Sequence, residues 1–297
     1  WQGIGLVAIL VSALHARSMD QQTLPREVHE IQPAAWATEL SEALGVQSRV
    51  VGLEHALEPN TASMAGLRDL RGYDLPVSRD WEAFFRNLDP RMIRPSFRIR
   101  TVEERNTMPL RFAGVSVVVS SEPQRGLEPL LLSASSPVEV YRLPEPGTRA
   151  WLAEGATRVS DQEAAFRQIS LDPLARERPA VEGIDRGWVG TQMEPLTIEE
   201  HSPEHLEIQV SVDEPRILVL ADSWSRGWQV EVNGRQQPIL RVGGYFRGVL
   251  LAGGEHQVVF RYRPMGWRIG VPLSAVGCLG IIFWLVWLRR RATLPLT

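Results

Sequence analysis

Lysine is absent from this chain of 297 residues, and all 32 basic side chains are arginine. Without lysine there is no Walker-type phosphate lysine, no Schiff-base amine and no lysine general base. Cysteine is nearly absent as well. The single Cys278 falls inside a long apolar run, so the polar bulk of the chain forms no internal disulfide and must be stabilised by packing. Charge of one sign is not in excess either: the formal net charge is −3, and no zinc-finger spacing or RNA-binding motif occurs. Nucleic acid is therefore not an expected partner. The G-x-S-x-G elbow, the P-loop and the dinucleotide glycine fingerprint are also missing. No catalytic residue and no cofactor can be nominated from such motifs.

Long hydrophobic runs, in contrast, mark both ends. Residues 269–288 (IGVPLSAVGCLGIIFWLVWL) are uncharged and stop at Arg289, Arg290 and Arg291. Twenty residues at about 1.5 Å rise reach about 30 Å, the thickness of a bilayer's hydrocarbon core. Trp267, Trp284 and Trp287 stand towards its two ends, as interfacial aromatics do. The positive-inside bias then places residues 289–297 in the cytoplasm and everything before Gly266 outside. Residues 1–14 (WQGIGLVAILVSAL) are apolar but reach only about 21 Å, too short to span. They lack an initiator Met, a basic n-region and a small-residue cleavage site, so they read as the outer end of a preceding helix in a longer protein.

Between these anchors lie about 250 residues, enough for one large or two ordinary domains. Helical spacing of Ala34, Trp36, Ala37, Leu40 and Leu44 predicts a first helix stopped by Gly45. Residues 48–53 read as a strand, Ser78 as the cap of a helix through Trp81, Phe84, Phe85 and Leu88, and residues 115–119 as a buried strand. Residues 138–143 suggest a half-buried strand, residues 164–169 part of a helix, and Glu145-Pro146-Gly147 a short linker. This alternation favours an α/β layer.

After about Pro195 the helical periodicity ends. Leu206, Ile208, Val210 and Val212 alternate with polar residues, residues 217–221 form a more buried partner, and Trp228, Val230 and Val232 repeat the alternation. Asn233-Gly234 follows at once, a strong signal for a type I′ hairpin turn. Residues 239–242, 246–251 and 256–262 complete about six strands of a small β-sandwich. The predicted organisation is thus an α+β membrane protein fragment. It comprises the end of a transmembrane helix (1–16), an extracytoplasmic α/β domain (17–195), an antiparallel β-sandwich (196–265), a complete transmembrane helix (266–288) and a cytoplasmic tail (289–297).

Four sets of residues are candidates for function. The loop at 60–76 offers Asn60, Arg71, Tyr73 and Asp74: Arg71 could fork onto a phosphate or carboxylate, Tyr73 could stack on a pyranose face, and Asn60 or Asp74 could bond hydroxyls. The alternative is a rigid loop in which Arg68 or Arg71 pairs with Asp69 or Asp74. Trp224 is a candidate carbohydrate platform, whereas Trp228, in phase with Val230 and Val232, belongs to the core. Arg261, Arg263 and Arg268 fall where the last strand enters the membrane helix, suited either to anionic headgroups or to a lipid-linked phosphate. His201 and His205 stand among glutamates, but Pro203 keeps them off a common helical face; a solvated turn is expected and no metal ligand set is assigned.

The order Gly227-Trp228, Asn233-Gly234, Gly254 with His256 and Tyr262-Arg263-Pro264, followed by a membrane helix, resembles the C-terminal end of the YfhO-like bacterial membrane proteins. Arg226 stands where that family commonly has proline, Asn233 where it has aspartate, and His256 falls one residue late. The stretch 60–74, with Gly66 and Arg71-Gly72-Tyr73-Asp74, looks like the family's outer domain. The resemblance implies a polytopic protein of the bacterial cytoplasmic membrane, similar to GT-C glycosyltransferases. Such enzymes transfer sugar from a polyprenyl-phosphate carrier to a cell-surface acceptor such as a cell-wall glycan. It also implies a catalytic carboxylate on an early outer loop, upstream of Trp1. The rival reading is a non-catalytic carbohydrate-binding or scaffolding module of a membrane protein.

Overall fold

The computed structural model describes residues 33–57, 61–71, 78–88, 99, 102, 104–190 and 192–292. The expected helix end at 1–16 lies outside the described residues. The chain divides into a unit ending at Ala34, of which only residues 33 and 34 are described, and a second unit, Ala35–Thr297, that carries every element below.

Helix α1 (Ala35–Leu44) buries Trp36, Ala37 and Leu40, the face its spacing predicts, and ends at Gly45 with φ +56°. Strand β1 (Arg49–Gly52) is followed by α2 (Thr61–Met64), α3 (Arg79–Leu88) and α4 (Glu104–Phe112) before β2 (Val115–Ser120) returns parallel to it. The Ser78 hydroxyl accepts from the Trp81 amide at 3.1 Å, capping α3. Beyond β2 come β3 (Glu128–Pro129) and β4 (Glu139–Arg142), giving a four-stranded sheet of order β1-β2-β4-β3. All six residues of β2 are buried because both faces of the strand are covered. Val117 and Val119 meet Trp36 and Leu40, while Val118 joins the cluster of Phe84, Phe85 and Phe112.

The remaining strands are β5 (Ala150–Leu152), β6 (Gly155–Val159), β7 (Ala180–Glu182), β8 (Trp188–Val189), β9 (Glu194–Pro195), β10 (Glu199–Ser202), β11 (His205–Val212), β12 (Arg216–Ser223), β13 (Trp228–Val232), β14 (Arg235–Gln237), β15 (Leu240–Val242), β16 (Phe246–Leu251) and β17 (Gly254–Tyr262). Helix α5 (Gln162–Leu171), capped by Asp161, links the parallel pair β6 and β7. One sheet has the order β10-β11-β17-β13-β14, the other β8-β6-β7-β15-β16-β12-β5-β9. Leu206, Ile208, Val258 and Phe260 of the smaller sheet share a core with Leu218, Leu220, Val249 and Leu251 of the larger. Across the larger sheet, Ile217, Val219, Trp151 and Phe246 point the other way and pack with Phe84, Phe112 and Phe166 from the helices. The central sheet is therefore buried on both faces, which accounts for the near-continuous apolar run of β12.

Two expectations are revised. The larger sheet crosses the boundary drawn at 195/196, since β5 to β9 hydrogen-bond into the same sheet as β12, β15 and β16. These strands have two to five residues, too short for alternation to show. The segment 145–147 is not a linker: Gly147 is buried, its amide donates to the Val115 carbonyl at 3.0 Å, and an added Cβ would meet the Arg111 carbonyl oxygen. The Asn233-Gly234 turn has both residues at positive φ, 51° and 74°, and joins β13 to β14.

Two residues after β17, helix α6 (Met265–Ala292) begins and contains an apolar span, Ile269–Arg289, long enough to cross a bilayer. None of that span is buried against the rest of the chain.

Phe84 stacks on Tyr245 at 5.2 Å, meets Phe246 edge-on at 5.2 Å and is fully buried. Phe84→Ala should cost about 3–5 kcal/mol, read as a lower midpoint for thermal unfolding of the sheets and helices that precede α6.

Candidate functional site

Of the loop residues singled out above, Asn60, Tyr73 and Asp74 lie outside the described residues, and Arg71 is the one that can be placed. Its side chain is 1% exposed. Arg71 Nε donates to both Asp69 carboxylate oxygens at 3.1 Å, and Nη2 donates to Asp69 Oδ2 at 2.6 Å and to the Leu57 carbonyl. The internal pairing considered for this loop is therefore present, and the guanidinium is packed rather than offered. Gly52 makes room for it: a Cβ there would come within 2.6 Å of Arg71 Nη2. Arg68, by contrast, reaches out of the loop to Glu200 on β10.

Glu200 belongs to the largest buried charge cluster among the described residues, centred on Asp222 at the end of β12. Arg149, just before β5, grips both Asp222 oxygens through Nε and Nη2 at 2.8 Å and reaches Glu200 through Nη1 at 2.6 Å. Arg247 of β16 donates to Asp222 Oδ2 at 2.8 Å. Arg49 of β1 also pairs with Asp222, and its Nη1 donates to the carbonyls of Ala113 and Ala221 at 2.8 and 2.6 Å. Four guanidinium groups, counting Arg68, thus surround two carboxylates. Arg247 Nε and Nη1 have no hydrogen-bond partner; the guanidinium carbon instead lies over the Trp228 ring, 3.5 Å from its centroid.

Burial works against the charges of Arg49, Arg149, Asp222 and Arg247. It lowers the pKa of Arg49, and it brings Arg247 down to about 10 although Asp222 opposes the change. For Asp222, burial alone would raise the carboxyl's pKa, but Arg149, Arg49 and Arg247 outweigh it and hold the group far below the usual carboxylate range. Arg149 ends above its ordinary value, because Asp222 and Glu200 more than offset its own burial.

Trp224, two residues beyond Asp222, is half-buried. The Arg241 guanidinium covers one side of its ring, 4.4 Å from the centroid, and also pairs with Asp80 at 2.8 Å. Gln162 at the start of α5 donates to Asp80 Oδ1 at 3.1 Å and to the Gly244 carbonyl at 2.8 Å. Glu182, at the end of β7, carries a pKa raised by burial despite the opposing Arg241 charge. An indole, an arginine and two carboxylates near one another can bind a polyhydroxylated ligand by stacking and paired hydrogen bonds.

At the membrane end, Arg261 faces Glu231 at 3.4 Å and Arg263 is exposed, its amide donating to the Gly227 carbonyl at 2.7 Å. Arg268 lies in the first turn of α6, its side chain outside the described residues. Among the described residues, His201, His205 and Glu207 form one group able to hold a metal ion. The sequence reading missed the Asp222 cluster and the Asp80–Arg241 pair. A usable signal for the former was charge embedded in apolar strands: Arg149 beside AWL, Asp222 ending ILVLAD and Arg247 within FRGVLL.

Asp222→Asn should destabilise the fold by about 3–5 kcal/mol at neutral pH, because it leaves three buried guanidinium groups short of their counter-charge. The pH dependence has a definite sign. The folded pKa of Asp222 is depressed, so its contribution is complete above the unfolded value of 3.8 and is lost as pH falls below it. Denaturant melts from pH 7 down to pH 3 should show the wild type losing more stability than Asp222→Asn. Arg71→Ala should likewise act on stability, by about 3–5 kcal/mol, through the stranded Asp69 carboxylate; an unchanged unfolding midpoint would contradict the buried pairing.

Residues 188–274 match the family described as bacterial membrane protein YfhO. Two cryo-EM structures of the arabinofuranosyltransferase AftD from mycobacteria, one of them a point mutant, are each 21% identical to this chain with a TM-score of 0.26. The overlap covers 38% of this chain and 9% and 8% of those chains, so the chain spans less than a tenth of their length. No curated protein matches. The upstream resemblance at 60–74 falls outside the matched segment. From β8 through β17 and into the apolar helix, the chain is similar to the YfhO membrane protein family.

Proposed function

We propose that this chain is the C-terminal outer region of a YfhO-type membrane glycosyltransferase that moves sugar from a polyprenyl-phosphate carrier to a cell-surface acceptor. The observation that carries this reading is the family segment at 188–274, which leads from the sheets into a membrane-length helix with only Arg263 and Pro264 between β17 and α6. On this reading the two sheets with a shared core are the anticipated sandwich. They stand on the extracytoplasmic face, with Arg261, Arg263 and Arg268 at headgroup level. The catalytic carboxylate lies upstream of Trp1, and this region shapes the acceptor side. Trp224, backed by Arg241, is its best-formed sugar platform.

One observation favours the rival reading of a non-catalytic binding or scaffolding module: the Asp222 cluster and the Arg71–Asp69 pair turn the chain's strongest guanidinium sites inward. Membranes containing the full-length protein, given a radiolabelled polyprenyl-phosphate sugar and cell-wall polymer, decide between the two. Transfer that depends on the protein, and that falls roughly fivefold in Trp224→Ala at equal abundance, is expected from losing about 1 kcal/mol of stacking. Protein-dependent transfer that is absent altogether would leave the module reading.

Sidedness has its own check. With Cys278 replaced by serine, a cysteine at Arg235 on the exposed strand β14 should react with a membrane-impermeant maleimide in intact cells. Labelling only after the membrane is ruptured would invert the topology.

A further inference from the structure

The turn at residues 201–205 was expected to be merely solvated, because Pro203 prevents a helix from aligning its two imidazoles. A hairpin aligns them instead. Strands β10 and β11 pair Glu200 with Leu206 and Ser202 with His205, so the register slips and His201 falls at an irregularity in the ladder. Such a bulge re-aims a side chain, and here the His201 and His205 rings come to 4.8 Å between centroids. Glu207, two residues along β11 and so on the same face as His205, places Oε2 3.6 Å from His201 Nε2.

We propose that His201, His205 and Glu207 bind one divalent transition-metal ion of the zinc class. One donor atom from each residue lies within 4.8 Å of the others. Donors held at about 2.0–2.2 Å around a tetrahedral ion stand about 3.3–3.6 Å apart, so a modest side-chain rotation closes the set. Two imidazoles and a carboxylate suit zinc better than calcium or magnesium, which prefer all-oxygen shells. His201 is about half exposed, which leaves water to complete the coordination.

Two features beyond proximity point to a ligand. The carboxylate is already oriented: Glu207 Oε1 accepts from Gln257 Nε2 at 2.6 Å and from Gln209 Nε2 at 2.7 Å, leaving Oε2 towards His201. Amides that hold a liganding carboxylate by its other oxygen are the outer support metal sites use. Further, His205 Nε2 is buried without a hydrogen-bond partner, an arrangement that coordination would satisfy. The site sits beside the membrane entry: His205 is opposite Arg261 on β17, and the Tyr262 amide donates to the Glu204 carbonyl at 2.9 Å. Arg261 is itself directed to Glu231. A bound ion would therefore clamp the β10–β11 turn onto the strand that leads into α6.

The test uses the untagged full chain in detergent, stripped with a chelator and titrated with Co²⁺ and then Zn²⁺. Expected are one equivalent of tightly held ion, visible d–d absorption of a low-symmetry cobalt site, displacement of that spectrum by Zn²⁺, and a higher unfolding midpoint with metal. His201→Gln and His205→Gln should abolish the spectrum, and Gln257→Ala should weaken binding roughly 10- to 100-fold through the loosened carboxylate. The substituted residues lie on the outer face of the smaller sheet, so metal-free melting points serve as the folding control. A cobalt spectrum like that of the free ion, or one unchanged in the His201→Gln, His205→Gln double variant, would overturn the proposal and leave a His201–Glu207 contact alone.

Discussion

The Asp222 carboxylate is the point on which the described fold depends. It is gripped by Arg149 ahead of β5, Arg247 on β16 and Arg49 on β1, while Arg149 carries the connection on to Glu200 of β10. One buried cluster thus links all three sheets. Hydrophobic packing could join the same layers without direction, whereas paired guanidinium and carboxylate groups fix orientation as well as contact. The cost is desolvation of each charge, visible in the lowered pKa values of Arg49 and Arg247. Whether such a cluster adds net stability over an apolar replacement is a separate matter from what its disruption costs; removing one member strands the others in a low-dielectric interior.

The absence of lysine takes on meaning in this setting. Arginine keeps its charge when buried, forks onto two carboxylate oxygens and stacks on aromatic rings, and the structure uses all three properties. Arg149 forks, Arg247 lies over Trp228, Arg241 covers Trp224, and Arg176 lies 4.7 Å from the Trp151 ring centroid. With the single cysteine, Cys278, placed in α6, these arginine contacts and the aromatic cluster around Phe84 take up the cross-linking of layers.

The last strand carries these layers into the apolar helix. β17 is the central strand of the five-stranded sheet and is followed within two residues by α6. Gly227 approaches the Tyr262 ring so closely that a Cβ would come within 2.4 Å of it. The Gly-Trp and aromatic-Arg-Pro signatures of the family-matched segment therefore meet in space, which gives a packing reason for their co-occurrence.

What the sequence determined by itself was local. The apolar run of α6, the Asn233-Gly234 turn, the buried faces of α1 and α3 and the strands from 205 to 262 all follow from periods and turn residues within a few positions of one another. Tertiary structure alone decided the rest. Strands of two or three residues at 150–195 have no period to read and become strands only through their partners: β5 on β12, β7 on β15, β9 on β5 and β8 on β6. Arg149 and Arg49 lie 73 and 173 residues from Asp222, a distance no spacing rule covers. Arg71 could be read as a ligand contact or as an internal partner of Asp69, because burial is a property of neighbours rather than of the residue, and His201 meets His205 only through a register slip that no composition announces.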